Sequence, residues 1–146
     1  MKLLTKETDY AVRAIMHLAR HRGGFVSSRR IAAAEGIPLR FLRRILRTLI
    51  RDGLIVSKEG VAGGVRLNAR PQGIRLTDII ETFQGNIQLA DCMFRQKVCS
   101  NRRTCVLRRQ IKVIEKMVTK EFEGITIASL LKDLEVEHEK KGHTHR

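Results

Sequence analysis

The chain reads as a mainly α-helical winged helix-turn-helix with a two-stranded wing and a long C-terminal dimerisation helix. Three observations carry that expectation. Two short amphipathic segments, residues 26–35 and 38–53, are separated by little more than Gly36-Ile37-Pro38, the helix, tight turn, helix order of a DNA-reading unit. Residues 53–58 and 65–67 then form two short strand patterns around the glycine-rich turn Glu59-Gly-Val-Ala-Gly-Gly64. The longest run with a 3.6-residue period begins at Thr104 or Cys105 and reaches Phe122.

Residues 5–21 open the chain as a helix, with Ala11, Ala14, Ile15, Leu18 and Ala19 on one face and Glu7 and Asp9 near its positive end. His17 and His21 lie one turn apart on it. That spacing can bind a metal, but surface and capping roles are commoner. The next helix takes Ser27 or Ser28 as its cap.

The helix at 38–53 is the stretch with the clearest chemistry. Arg40, Arg43, Arg44, Arg47 and Arg51 fall on one stripe, Phe41, Leu42, Ile45, Leu46, Leu49 and Ile50 on the other, and no carboxylate precedes Asp52. In a helix-turn-helix this stripe enters the major groove, where an arginine pairs bidentately with guanine O6 and N7 for about 1–3 kcal/mol of discrimination. Arg40, Arg43, Arg44 and Arg47 are the expected readers. Ser28, Arg29 and the wing residues Lys58 and Arg66 are expected to fix register on phosphates or the minor groove. Two such helices related by a dyad call for a pseudo-palindromic double-stranded operator.

Arg70-Pro71 interrupts the chain, residues 76–83 form a short helix with Thr77 as candidate cap, and residues 93–104 read as a loop. The long helix that follows shows two seams: Leu107, Ile111, Ile114, Val118 and Phe122, beside Val106, Gln110, Val113 and Met117. One seam suits the chain's own core and the other a second copy. Gly124 stops that helix, Thr126 starts a last one ending at Leu134, and residues 135–146, with His138, His143 and His145, read as a disordered tail. The expected division is thus 1–84 for the DNA-binding domain, 85–104 for a cysteine loop, 105–134 for the dimerisation helix and its successor, and 135–146 for the tail.

Charge agrees with a polyanion partner. The net charge is +14, and residues 1–76 hold 16 Lys/Arg against 5 Asp/Glu, so most of the excess sits in the first half. No apolar run approaches the roughly 18 residues of a membrane span and no signal-peptide core opens the chain, so a cytoplasmic protein with no membrane partner is expected. Cys92, Cys99 and Cys105 stand close together amid Arg95, Lys97, Arg102, Arg103, Arg108 and Arg109. An odd number of thiols without an export signal disfavours disulfides. Soft sulfur donors beside cations suit an iron-sulfur cluster or zinc.

Taken with the opening Leu4-Thr-Lys-Glu-Thr-Asp-Tyr-Ala-Val-Arg-Ala, Asp52-Gly-Leu-Ile, the Gly63-Gly64 wing and Ile125-Thr-Ile-Ala-Ser-Leu-Leu131, this loop resembles that of the family of IscR, NsrR and RirA across nearly the whole chain. The resemblance implies a dimeric winged-helix regulator holding an iron-sulfur cluster on Cys92, Cys99 and Cys105. In IscR a histidine follows the third cysteine after two residues; here Arg108 stands there. NsrR-like proteins recruit an N-terminal aspartate from the other subunit, which points to Asp9, with Glu7 second. That leans toward a 4Fe-4S site and leaves 2Fe-2S open. The family's wing arginine is absent, with Glu59 opening the turn instead.

The function expected is therefore a homodimeric, sequence-specific transcriptional regulator, a repressor by expectation, gated by a cluster that senses iron, redox state or nitric oxide. Zinc or a cysteine thiol switch in place of the cluster is the second reading, and an electron carrier or assembly protein the third. Nothing sets a general base beside a nucleophile, so neither an enzyme nor a small-molecule substrate is expected.

Overall fold

The computed structural model describes residues 3–21, 23–89, 101 and 103–142, apart from the side chains of 139–142. It confirms the fold class, with six α-helices and one two-stranded antiparallel sheet among the described residues. Thr5 starts α1 (Lys6–Arg20) by accepting from the Thr8 amide at 3.3 Å. Ala11, Ala14, Ile15, Leu18 and Ala19 are buried, as the period required. Periodicity did not reveal that α1 is the packing hub. It touches α2 (Ser28–Glu35), α3 (Leu39–Arg51), α4 (Leu76–Gln84), α6 (Ile127–Gly142) and strand β2 (Gly64–Leu67), and its small alanines let those neighbours come close.

Ser27 caps α2, its hydroxyl accepting from the Arg30 amide at 3.3 Å. Gly36 ends the helix in the left-handed region at φ 61°, where a side chain would be strained. The chain can then turn at once into α3. Leu42, Ile45, Leu46 and Leu49 press inward, each stabilising the fold by about 1.5–3 kcal/mol. Phe41 departs from expectation. It lies at the edge of the apolar face in the first turn and stays 48% exposed, because the neighbouring elements do not cover that edge.

Strand β1 (Ile55–Lys58) pairs with β2 in the register Ile55 to Leu67 through Lys58 to Gly64. Val26 adds a one-residue bridge, exchanging two 2.9 Å backbone hydrogen bonds with Val65. Gly64 sits at φ 145°, and a Cβ there would come 2.4 Å from the Val26 carbonyl oxygen. The wing is thereby fixed to the segment entering α2.

Beyond a single 3-10 turn at Pro71–Gly73, α4 begins with the Arg75 amide donating to Asp78 Oδ2 at 2.8 Å. Thr77 is a buried first-turn residue and not the cap. Helix α5 (Val106–Glu123) starts at Cys105, and none of its residues is fully buried. After it, Leu76 donates to the Ile125 carbonyl at 2.9 Å and Ile127 to the Ile74 carbonyl at 3.0 Å, a clasp at the foot of α4.

Two expectations are corrected by α6. It continues to Gly142, past the anticipated end at Leu134, through Glu- and Lys-rich sequence that favours helix. It also packs on α1 and the Pro71–Gly73 turn, with Ile127 fully buried, so the N-terminal core is completed from beyond the cysteine loop. His143 and His145 lie outside the described residues.

Candidate nucleic-acid interface and cysteine site

Arg40, Arg43, Arg44, Arg47 and Arg51 are all exposed along α3, as the stripe required. Among the described residues Arg40, Arg43 and Arg47 form no ion pair, while Arg51 meets its neighbour Asp52 at 3.0 Å. Arg47 Nε donates to the Arg43 carbonyl at 3.4 Å. Arg44 is held differently. Its Nη2 donates to the Glu7 carboxylate on α1, and its guanidinium lies 5.4 Å from the centre of the Phe41 ring. A count of charges within α3 could not show a carboxylate reaching over from another helix.

On the wing, Lys58 and Arg66 both lie over the ring of Phe25, at 5.8 Å and 4.8 Å. Phe25 directly precedes the Val26 bridge, so the bridge sets the ring beneath the two cations. Sequence reasoning missed this residue. The only signal was an aromatic side chain just ahead of the helix-turn-helix. Arg29 is exposed at the start of α2 and Ser28 half-buried beside it.

Glu35, the last residue of α2, fixes the reading unit to α1. It accepts from His17 Nδ1 at 2.9 Å and Arg20 Nη2 at 3.0 Å, and its backbone carbonyl accepts from Arg13. Arg13 also lies 3.9 Å from the Glu35 carboxylate and 3.7 Å from that of Asp9. The His17 ring is buried and stacks on His21 at 4.4 Å, and the His21 Nδ1 caps the helix on the His17 carbonyl at 2.9 Å. The pair is an anchor and a cap. Each Nδ1 is engaged, on Glu35 and on the His17 carbonyl, and the rings stack 20° from parallel.

Of the three thiols, Cys105 is described. It is half-buried at the N-cap of α5, and its Sγ accepts from the Arg108 amide at 3.4 Å. The sulfur therefore faces the first-turn amides of α5. Cys92 and Cys99 lie outside the described residues, and no group of three or more metal-binding side chains gathers among those described. Asp9 is 58% exposed and lies 3.7 Å from Arg13, its one ion-pair contact among the described residues, whereas Glu7 is engaged by Arg44. The loop carrying Cys92 and Cys99 leaves α4 at Gln84, whose side-chain oxygen accepts from the Thr5 amide at 2.8 Å and the Thr8 hydroxyl at 2.6 Å. The root of that loop is therefore tied to the start of α1.

Helix α5 packs on α4, and Ile111, Val118 and Phe122 are half-buried. Val106, Leu107, Val113, Ile114 and Met117 remain between 48% and 68% exposed. The seams thus divide otherwise than the sequence suggested, Leu107 and Ile114 joining the outer set. No helix among the described residues is long and apolar enough to cross a membrane.

Comparison with known proteins completes this picture. The family described as Rrf2, iron-dependent transcriptional regulator, matches residues 4–133. Protein aau3 of Rhizobium meliloti is 32% identical over 88% of this chain and 84% of its own. The transcriptional regulator IscR of Aliivibrio salmonicida is 27% identical over 92% and 80%. Among solved structures, IscR of T. potens superposes with a TM-score of 0.73 at 27% identity, covering 92% of this chain and 88% of that one. CymR, the global cysteine regulator of B. subtilis, also gives 0.73, at 23% identity and 90% and 98% coverage, a likeness of fold.

Proposed function

The chain belongs to the Rrf2 family of DNA-binding transcriptional regulators, and from that premise we propose that it acts as a homodimeric, sequence-specific repressor whose DNA affinity follows an iron-sulfur cluster on Cys92, Cys99 and Cys105. The observation that carries the DNA-reading half is the exposed arginine row of α3, backed by a buried apolar face and flanked by a wing whose two cations share one aromatic ring. Arg40, Arg43, Arg44 and Arg47 read base edges, and Ser28, Arg29, Lys58 and Arg66 hold phosphates. The uncovered stripe of α5 supports a second copy as its partner, since free exposure of so many large apolar side chains on one helix is unfavourable.

For the cluster, Cys105 offers a half-buried sulfur at the N-cap of α5, and Asp9 of the partner subunit is the proposed fourth ligand. When bound, the cluster supplies a centre sensitive to iron supply and redox state. The cysteine loop joins α4 to α5 and is rooted by Gln84 on α1, so a change in the loop reaches the helix that carries the reading unit.

The test has two arms. Selection from random duplexes should enrich a pseudo-palindrome, and Arg43→Ala should weaken that site more than random DNA; equal weakening would remove base reading by that residue. Anaerobic reconstitution with iron and sulfide should give an acid-labile chromophore that is lost in Cys99→Ala and shortened in lifetime in Asp9→Ala. A second reading is zinc or a thiol switch on the same cysteines, which the half-buried Cys105 sulfur at the start of α5 would serve equally. Iron, sulfide and zinc counts on protein purified without oxygen separate the two.

A further inference from the structure

The one large aromatic left uncovered on α3 stands among its arginines. Phe41 is in the first turn of the helix, 48% exposed, next to Arg40 and one turn from Arg44. Residues at the start of a reading helix are those that reach base edges in the major groove. The ring is also held in place: the Arg44 guanidinium lies over it at 5.4 Å, and Arg44 is itself tied to Glu7 on α1. Ring and guanidinium thus form one oriented pair presented outward.

The chemistry around this ring selects its occupant. A protein partner covering Phe41 would have to bury Arg40 and Arg43, which have no carboxylate of their own among the described residues. A DNA duplex brings phosphates for those guanidiniums and, in its major groove, one apolar group: the C5 methyl of thymine. Resting on the DNA-binding reading above, we propose that Phe41 is a specificity-determining residue that contacts a thymine methyl.

The experiment starts from the site enriched by the full-length protein from random duplexes, in which each thymine is replaced in turn by deoxyuridine, deleting only the methyl. Wild type should lose about fourfold in affinity at one thymine per half-site, the amount expected for one buried methyl group. Phe41→Ala should bind the parent site more weakly, lose that sensitivity, keep its affinity for random DNA and melt as wild type does. A wild-type scan without any methyl effect would overturn the proposal, as would an effect that survives in Phe41→Ala, and neither would touch DNA binding itself. Failure to enrich any sequence would instead overturn sequence reading by α3 and this inference with it.

Discussion

Replacing Glu35 by alanine tests how firmly the reading unit is attached to the rest of the molecule. The His17 side chain is 6% exposed and its Nδ1 has Glu35 Oε1 as hydrogen-bond partner at 2.9 Å, while Nε2 has no partner among the described residues. Truncation leaves a second ring nitrogen buried and unsatisfied, at a cost of about 1–3 kcal/mol. The pair with Arg20, whose side chain is 47% exposed, adds about 0.2–1 kcal/mol. The bond from Arg13 survives, because it is made to the backbone carbonyl. A loss of about 2–3 kcal/mol is therefore expected, or roughly 4–10 °C in melting temperature for a chain of this size. Glu35→Gln keeps an oxygen acceptor and should lose half of that or less. The assay is thermal and urea unfolding followed by circular dichroism at one fixed protomer concentration, because dimerisation would otherwise shift the midpoint. An alanine variant within about 0.5 kcal/mol of wild type, or a glutamine variant equally damaged, would refute the reasoning.

Three further outcomes are expected. Gly64→Ala forces a methyl against the Val26 carbonyl at a φ of 145°, so it should cost about 1–3 kcal/mol and expose the Val26 and Val65 amides to hydrogen exchange; unchanged protection there would contradict the bridge. Ile114→Glu places a charge in the outer stripe of α5, where Ile114 is 51% exposed, and should raise the dimer dissociation constant more than tenfold in sedimentation while leaving the helix content as it was; an unaltered dimer would place the interface elsewhere. Phe25→Leu removes the ring beneath Lys58 and Arg66, and at about 0.5–1 kcal/mol for each of the two contacts should weaken specific and random DNA alike by about fivefold to thirtyfold; no change, alongside a clear loss in Arg66→Ala, would show that the wing cations need no support.

The helix-turn-helix and the wing were legible because their determinants are local. Ser27 as cap, Gly36 at a left-handed corner, the four inward residues of α3 and the paired strands around Gly63-Gly64 are each fixed by neighbours in sequence. What escaped depends on distant parts of the chain. Glu7 pairs with Arg44 only because α1 lies beside α3, and Glu35 meets Arg13, His17 and Arg20 from successive turns of α1. Ile127 enters the core from beyond the cysteine loop through a two-residue clasp that no periodicity encodes. Phe41 fell on the wheel's apolar half, yet an edge position is buried only when a neighbour happens to cover it, and here none does. The cysteine loop was picked out by spacing and by resemblance, and of its three sulfurs Cys105 is placed by the structure, at the start of α5.

The clasp between Arg75 and Thr126 bears on how the molecule tolerates change. Everything from α4 through α5 departs and returns at adjacent points, like a loop of rope tied off at its knot. A change in the number of residues between its two strands alters the length of rope and leaves the knot tied, so Ile127 of α6 keeps its place in the core. The clasp thus joins the two ends of the core directly, independently of how many residues separate them in sequence.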